Sequence, residues 1–166
     1  LKGRRLQAPP PGTLAIRPTA DRAREALFSI LLKWPQGPFL DLFAGTGAVG
    51  LEALSRGYGP VACVELQAAC LQANVAGSGV VLLRADALKL DYAPFRDQAV
   101  IFGDPPYERA GALWDALAPK LAPCLAPEGV LVWETDQRTE LAAPASLRRV
   151  DSRRYGAARF HFFQLG

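Results

Sequence analysis

The stretch Phe39-Leu40-Asp41-Leu42-Phe43-Ala44-Gly45-Thr46-Gly47-Ala48-Val49-Gly50 decides how the rest of the chain reads. Phe39–Phe43 is a short apolar run interrupted by Asp41, which has the length of a buried strand. Residues 45–50 match the pattern GxGxxG, and Ala48–Arg56 then reads as a helix that stops at Gly57, a suitable C′ residue. A strand, a glycine turn and a helix in that order let the backbone approach a ligand closely, at a helix N-terminus.

Working outward, the same alternation continues. Val61–Glu65 predicts a strand, Gln67–Val75 a helix, and Val80–Arg84 a strand with Asp86 just beyond it. Ala99–Gly103 is a further strand that runs into Asp104-Pro105-Pro106-Tyr107, followed by a helix over Gly111–Leu121 and a strand over Val130–Glu134. Upstream, residues 20–33 predict a helix with Ala23, Leu27, Ile30 and Leu31 on one face, capped by Thr19 and stopped by Pro35, Gly37 and Pro38. Residues 1–16, with Pro9, Pro10 and Pro11 in sequence, read as an extended arm. The tail breaks the rhythm: Leu147–Arg153 and Ala158–Leu165 predict a hairpin turning near Tyr155-Gly156. Alternating strands and helices predict an α/β fold, a mostly parallel sheet with helices on both faces, and the hairpin adds one antiparallel edge strand. The organisation expected is a basic arm over residues 1–18 and a single domain over residues 19–166.

Composition narrows the class. At 166 residues, half of them apolar and 21% charged, the chain suits one folded domain rather than a disordered segment. No apolar run reaches membrane-spanning length and no signal pattern opens the chain, so a cytoplasmic protein with no membrane partner is expected. The chain starts at Leu1 rather than Met, and further residues ahead of it are expected. Cys63, Cys70 and Cys124 are odd in number and lack CxxC spacing, and His161 is the one histidine; reduced thiols and no metal site are expected. A Ser–His triad is equally disfavoured.

The net charge of +3 hides a segregation. Residues 1–24 carry six basic side chains against Asp21 alone, residues 147–160 carry five against Asp151 alone, and the segment between is net −6. If the two ends share a face they form a patch for phosphate backbones, with Arg4, Arg5, Arg17, Arg22, Arg153 and Arg154 as the candidate contacts. Two separately solvated runs are the plainer alternative.

The glycine loop admits three readings: a structural turn, a dinucleotide site of an NAD-dependent oxidoreductase, or a site for S-adenosylmethionine. Glu65, 20 residues after Gly45, is placed to take ribose hydroxyls in either ligand reading. Asp41 separates them. A carboxylate inside an apolar strand needs a partner, and a methionine ammonium supplies one, as would an Arg of the first helix. Asp86 is placed for an adenine amine, or is a turn residue. Asp104-Pro105-Pro106-Tyr107 adds a carboxylate and free carbonyls that can clamp an exocyclic amine, beside an aromatic ring that can stack on its base.

Asp41-Leu42-Phe43-Ala44-Gly45-Thr46-Gly47 together with Asp104-Pro105-Pro106-Tyr107 resembles the S-adenosylmethionine-dependent amino-methyltransferases. Arg17-Pro18-Thr19, Arg24-Glu25-Ala26-Leu27-Phe28 and Leu51-Glu52-Ala53-Leu54-Ser55-Arg56-Gly57 narrow the resemblance to the RsmD-type 16S rRNA guanine-N2 methyltransferases, over nearly the whole chain. Thr46 and Val49 stand where that family often has Ser and Leu. The resemblance implies a Rossmann-like class I methyltransferase with a seven-stranded sheet, S-adenosylmethionine as cofactor and rRNA of the small ribosomal subunit as partner, acting as a monomer. It implies that Asp41, Phe43, Gly45 and Gly47 line the methionine side, Glu65 holds the ribose, Leu66 packs on the adenine, and Asp86 with Ala87 meets the adenine edge. Asp104, also against the cofactor, and Pro105 would hold the target amine, with Pro106 stiffening the turn and Tyr107 stacking on the base; Arg17 or Thr19 would close over the cofactor. A DNA adenine-N6 methyltransferase uses a similar turn, and a non-catalytic RNA-binding module would explain the basic ends alone.

Overall fold

The computed structural model describes residues 3, 5–8, 10 and 21–166. Arg4, Arg17 and Thr19, and the arm's boundary at residue 18, lie outside the described residues.

The alternation read from the sequence is the alternation observed. The helices are α1 (Asp21–Leu31), α2 (Ala48–Ser55), α3 (Ala69–Val75) and α4 (Ala110–Leu121). The strands are β1 (Phe39–Leu42), β2 (Val61–Val64), β3 (Val81–Leu83), β4 (Gln98–Gly103), β5 (Leu125–Asp136), β6 (Leu147–Tyr155) and β7 (Ala158–Leu165). They form one sheet in the order β3-β2-β1-β4-β5-β7-β6. β3 to β5 are mutually parallel, and β7 runs antiparallel to both β5 and β6. The reversed strand therefore lies one place in from the edge, between β5 and β6, and the edge strand β6 points the same way as the parallel set.

Period-two alternation divides the sheet into two buried faces. Phe39, Val100, Phe102, Val132 and Phe162 point toward α1, α2 and α3. Leu40, Leu42, Ile101, Leu131 and Phe163 point toward α4. The buried residues of α1 include Ala23, Leu27, Ile30 and Leu31, as the periodicity requires, and Phe28 as well, stacked 6.1 Å from Phe39.

β5 is longer than the sequence predicts, because Pro127 and Gly129 read as loop residues. Its first residues instead make an irregular start: Leu125 pairs with Gln98, the register shifts, and regular pairing resumes at Val130↔Val100. The order of strands reverses between β1 and β4, so the crevice of the fold opens above their C-terminal ends. Those ends carry Phe43–Gly45 and Asp104. Directly beneath the second, Trp133 lies flat against Gly103, where a Cβ would sit 2.4 Å from its ring. The indole N–H donates to the Ala110 carbonyl at 3.1 Å, which ties the end of β4 to the start of α4. Only glycine at 103 lets that ring support the turn that follows.

Candidate active site

A cavity of about 940 Å³ occupies the crevice. At one end it is lined by Phe43, Glu65, Leu66, Asp86 and Ala87, and at the other by Asp104, Pro105, Pro106, Tyr107 and Glu134. Arg22 and the hairpin tip, Tyr155 to Ala158, close its outer rim. The residues expected at the ends of four parallel strands thus meet in one space. Asp41, Gly45 and Gly47 do not line it; Asp41 is buried within β1 and the two glycines belong to the loop that follows it.

That loop is held by carboxylates. Glu65, at the end of β2, accepts from the Gly45 N–H at 2.9 Å through one oxygen and from the Gln67 N–H at 3.0 Å through the other. Asp41 is buried within β1, and one of its oxygens accepts from the Gly50 N–H of α2 at 3.0 Å and from the Cys63 thiol at 3.8 Å. No Arg of α1 pairs with Asp41 among the described residues. Burial pushes its carboxyl up to about 7, against the lowering effect of the Gly50 and Cys63 bonds. The same burial, with the Asp41 charge beside it, pushes the Cys63 thiol up.

This arrangement separates the ligand classes. In a dinucleotide site the loop amides and the helix N-terminus face a pyrophosphate. Here the Gly45 amide is already given to Glu65 and the Gly50 amide to Asp41, so neither donor is left for a pyrophosphate. A ligand carrying adenosine and a cationic group but no phosphate fits that charge pattern. Glu65 keeps lone pairs for a ribose beyond its two backbone bonds. Asp86 accepts from the Leu88 N–H at 2.9 Å, a turn that turns its carboxyl back on the chain while leaving it in the cavity wall.

The acceptor end is built from side chains far apart in sequence. The Tyr107 hydroxyl donates to Glu134 Oε1 at 3.0 Å, and Glu134 is buried on β5. The aromatic residue of the Asp-Pro-Pro-Tyr turn is therefore anchored by a carboxylate that nothing local in the sequence marks. Tyr155, at the hairpin tip, is a second residue the sequence reading missed; it reaches this cavity because β6 and β7 lie beside β5. Asn74 is a third. Its side chain, 3% exposed, donates to the Thr46 carbonyl in the glycine loop at 2.9 Å.

The basic residues divide. Arg22 lies on the cavity rim. Arg153 and Arg154 are exposed on β6 next to the hairpin tip, Arg153 paired to Asp151 at 3.1 Å. Arg5 is exposed two residues before Gln7, whose backbone bonds to Asn74 of α3. Arg22 thus lines the cavity, and Arg153 and Arg154 immediately precede Tyr155, which also lines it. Among the described residues no cluster suited to a metal ion is present, and no helix is long and apolar enough to cross a membrane.

Comparison with known proteins agrees with this geometry. The ribosomal RNA small subunit methyltransferase D of Escherichia coli is 34% identical over 115 residues, which span 65% of this chain and 57% of that relative. The structure of yhhF from Escherichia coli superposes with a TM-score of 0.77 at 25% identity, covering 98% of this chain and 92% of that one. A ribosomal protein L11 methylase from Lactobacillus delbrueckii shares the fold at 15% identity and a TM-score of 0.64, covering 87% of this chain and 78% of its own. The sheet is that of the Rossmann-like class I methyltransferases. A family model described as conserved hypothetical protein 95 matches residues 1–164, and the chain belongs to that RsmD-like family.

Proposed function

We propose that the protein transfers a methyl group from S-adenosylmethionine to the exocyclic N2 amine of a guanine in small-subunit (16S) rRNA. The observation that carries this reading is the shared cavity. It joins the acids and apolar residues suited to an adenosine with the Asp104-Pro105-Pro106-Tyr107 turn suited to an amine on a base. Small-subunit rRNA is supported by the relative named ribosomal RNA small subunit methyltransferase D, and guanine by the resemblance of the sequence motifs to the RsmD-type enzymes.

S-adenosylmethionine, when bound, supplies an electrophilic methyl group. Phe43, Leu66 and Ala87 cover its apolar faces, Glu65 and Asp86 take its hydroxyls and amine, and Asp41 with the glycine loop shapes the floor beneath. The acceptor amine is a poor nucleophile because its lone pair is delocalised into the ring. Asp104 and the Pro105 carbonyl accept its two N–H bonds and so orient that lone pair toward the methyl. Positioning of this kind supplies much of the rate. The Asp104 carboxylate also stabilises positive charge developing on nitrogen and can receive its proton. Tyr107, held by Glu134, covers one face of the base once it has left its stack. Arg22, Arg153, Arg154 and Arg5 are assigned to the phosphate backbone, where binding weakens as salt rises.

The test is transfer of labelled methyl from S-adenosylmethionine to unmodified small-subunit rRNA, free and within ribosomal particles, with duplex DNA in parallel. Label recovered as N2-methylguanosine is expected. Label confined to adenine in DNA would replace the substrate assigned here, and saturable RNA binding without any transfer would reduce the protein to a binding module.

A further inference from the structure

One buried side chain joins the basic arm to the glycine loop. Asn74 accepts from the Gln7 N–H at 2.8 Å, and its amide nitrogen donates both to the Gln7 carbonyl at 3.2 Å and to the Thr46 carbonyl at 2.9 Å. Both amide hydrogens and one acceptor site are thereby used. It pairs with Gln7 as a neighbouring strand would, through donor and acceptor together, across 67 positions of sequence.

The neighbours of Asn74 on α3 make the connection stiff. Leu71 and Val75, one turn away and adjacent, pack under the loop so closely that a Cβ at Gly47 would lie 2.5 Å from Leu71 Cδ1 and 3.3 Å from Val75 Cγ1. Asn74 is the polar member of that face, and Leu6 of the arm is packed against the same core. Thr46 itself is buried, so its carbonyl has no water to turn to if the amide is lost. Two residues from the clasp stands Arg5, exposed.

We propose that Asn74 is a positioning residue that makes the N-terminal arm a part of the cofactor site, so that RNA held by the arm and cofactor held by the loop strengthen each other. The inference rests on the cofactor and partner assigned above. Through Asn74, order in the arm at Gln7 becomes order in the loop at Thr46. Reciprocity requires that cofactor then tighten RNA by the same factor.

The experiment is a double-mutant cycle on the full chain, reading the Kd for S-adenosylhomocysteine by calorimetry and the Tm alongside. Asn74→Ala removes the clasp. Gln7→Pro removes the backbone N–H that Asn74 accepts, at an exposed position, and fixes φ there as well, while Gln7→Ala keeps that N–H as a control. Asn74→Ala and Gln7→Pro are each expected to weaken binding about fivefold, the scale of one lost hydrogen bond. Their combination should be no weaker than the worse single variant, and Gln7→Ala should bind as wild type. Unmodified small-subunit rRNA should tighten binding by wild type about fivefold and leave Asn74→Ala unchanged. Additive losses, a lowered Tm with unchanged Kd, or an equal RNA effect on wild type and Asn74→Ala each overturn the inference alone. A wild-type chain that does not bind S-adenosylhomocysteine overturns the cofactor assignment and the inference with it.

Discussion

The two ends of the cavity are built differently. At the cofactor end, side chains hold backbone: Glu65 holds the Gly45 amide, Asp41 the Gly50 amide and Asn74 the Thr46 carbonyl. At the acceptor end, one side chain holds another, Glu134 holding Tyr107, above the place where Trp133 packs against Gly103. A cofactor that is the same in every cycle suits a floor of fixed backbone. An acceptor base, which must enter and leave, suits walls whose chemistry lies at side-chain tips. The comparison predicts that damage to the acceptor end removes chemistry and spares cofactor binding, and that damage to the cofactor end does the reverse.

Asp104→Ala gives the largest expected effect. Loss of the carboxylate removes both the orienting bond to the amine and the stabilisation of charge on it, and kcat should fall about 10³-fold or more. The Kd for S-adenosylhomocysteine should stay within a few-fold of wild type, since Glu65, Leu66 and Asp86 remain. Turnover near the wild-type rate would remove Asp104 from the mechanism, and a collapse of cofactor affinity would erase the distinction between the two ends.

Gly47→Ala tests the opposite end. Gly47 sits at φ +82°, where an L side chain is strained, and its Cβ would press on Leu71. The cost in stability is on the order of 1–3 kcal/mol. With both the backbone strain and the Leu71 contact acting on the loop, the cofactor Kd should rise about tenfold while kcat at saturating cofactor changes little. An equal fall in kcat would show that the loop also positions the acceptor.

The difference between the ends also governs what the sequence reveals. GxGxxG, Glu65 and Asp86 follow their strands directly in sequence, and strand–helix alternation places them at the same edge of a parallel sheet, with Asp41 inside β1 below them. The element boundaries followed to within a few residues for the same reason, except in β5, where Pro127 and Gly129 hide an irregular start. Asp104-Pro105-Pro106-Tyr107 is legible as a turn, yet its support is not. The Tyr107–Glu134 bond spans 27 positions and the Asn74–Gln7 bond 67, and neither pair carries a spacing that marks it. The role of Asp41 was ambiguous for a related reason. Sequence shows that a carboxylate is buried in β1 but not which donors of α2 and β2 are folded onto it.

Two buried titratable groups, one in each half of the sheet, sharpen the comparison without touching catalysis. Burial holds the Asp41 carboxyl at about 7, far above its ordinary value of 3.8. Burial, aided by the charges of Arg159 and Arg149, holds His161 down to about 4 from 6.5. His161 lies on β7 with its Nε2 3.0 Å from Thr135 Oγ1. For Asp41 the unfolded chain loses its proton first, so its contribution to stability is full near pH 4 and is lost as pH rises toward 7. For His161 the unfolded chain gains its proton first, so its contribution is full above pH 6.5 and is lost as pH falls toward 4. The two slopes oppose one another between pH 4 and 6.5 in the wild type, each on the order of 3–4 kcal/mol across its window. Asp41→Asn, which can still accept from Gly50, should leave stability rising from pH 4 to 6.5 and flat beyond. His161→Gln should leave it falling from pH 4 to 7. Urea unfolding at intervals from pH 4 to 8 separates them. A wild-type profile retained by both variants would mean that neither group titrates as its burial requires. Asp41 would then be an ordinary carboxylate reached by water, and the floor of the cofactor end would be open where the structure has it closed.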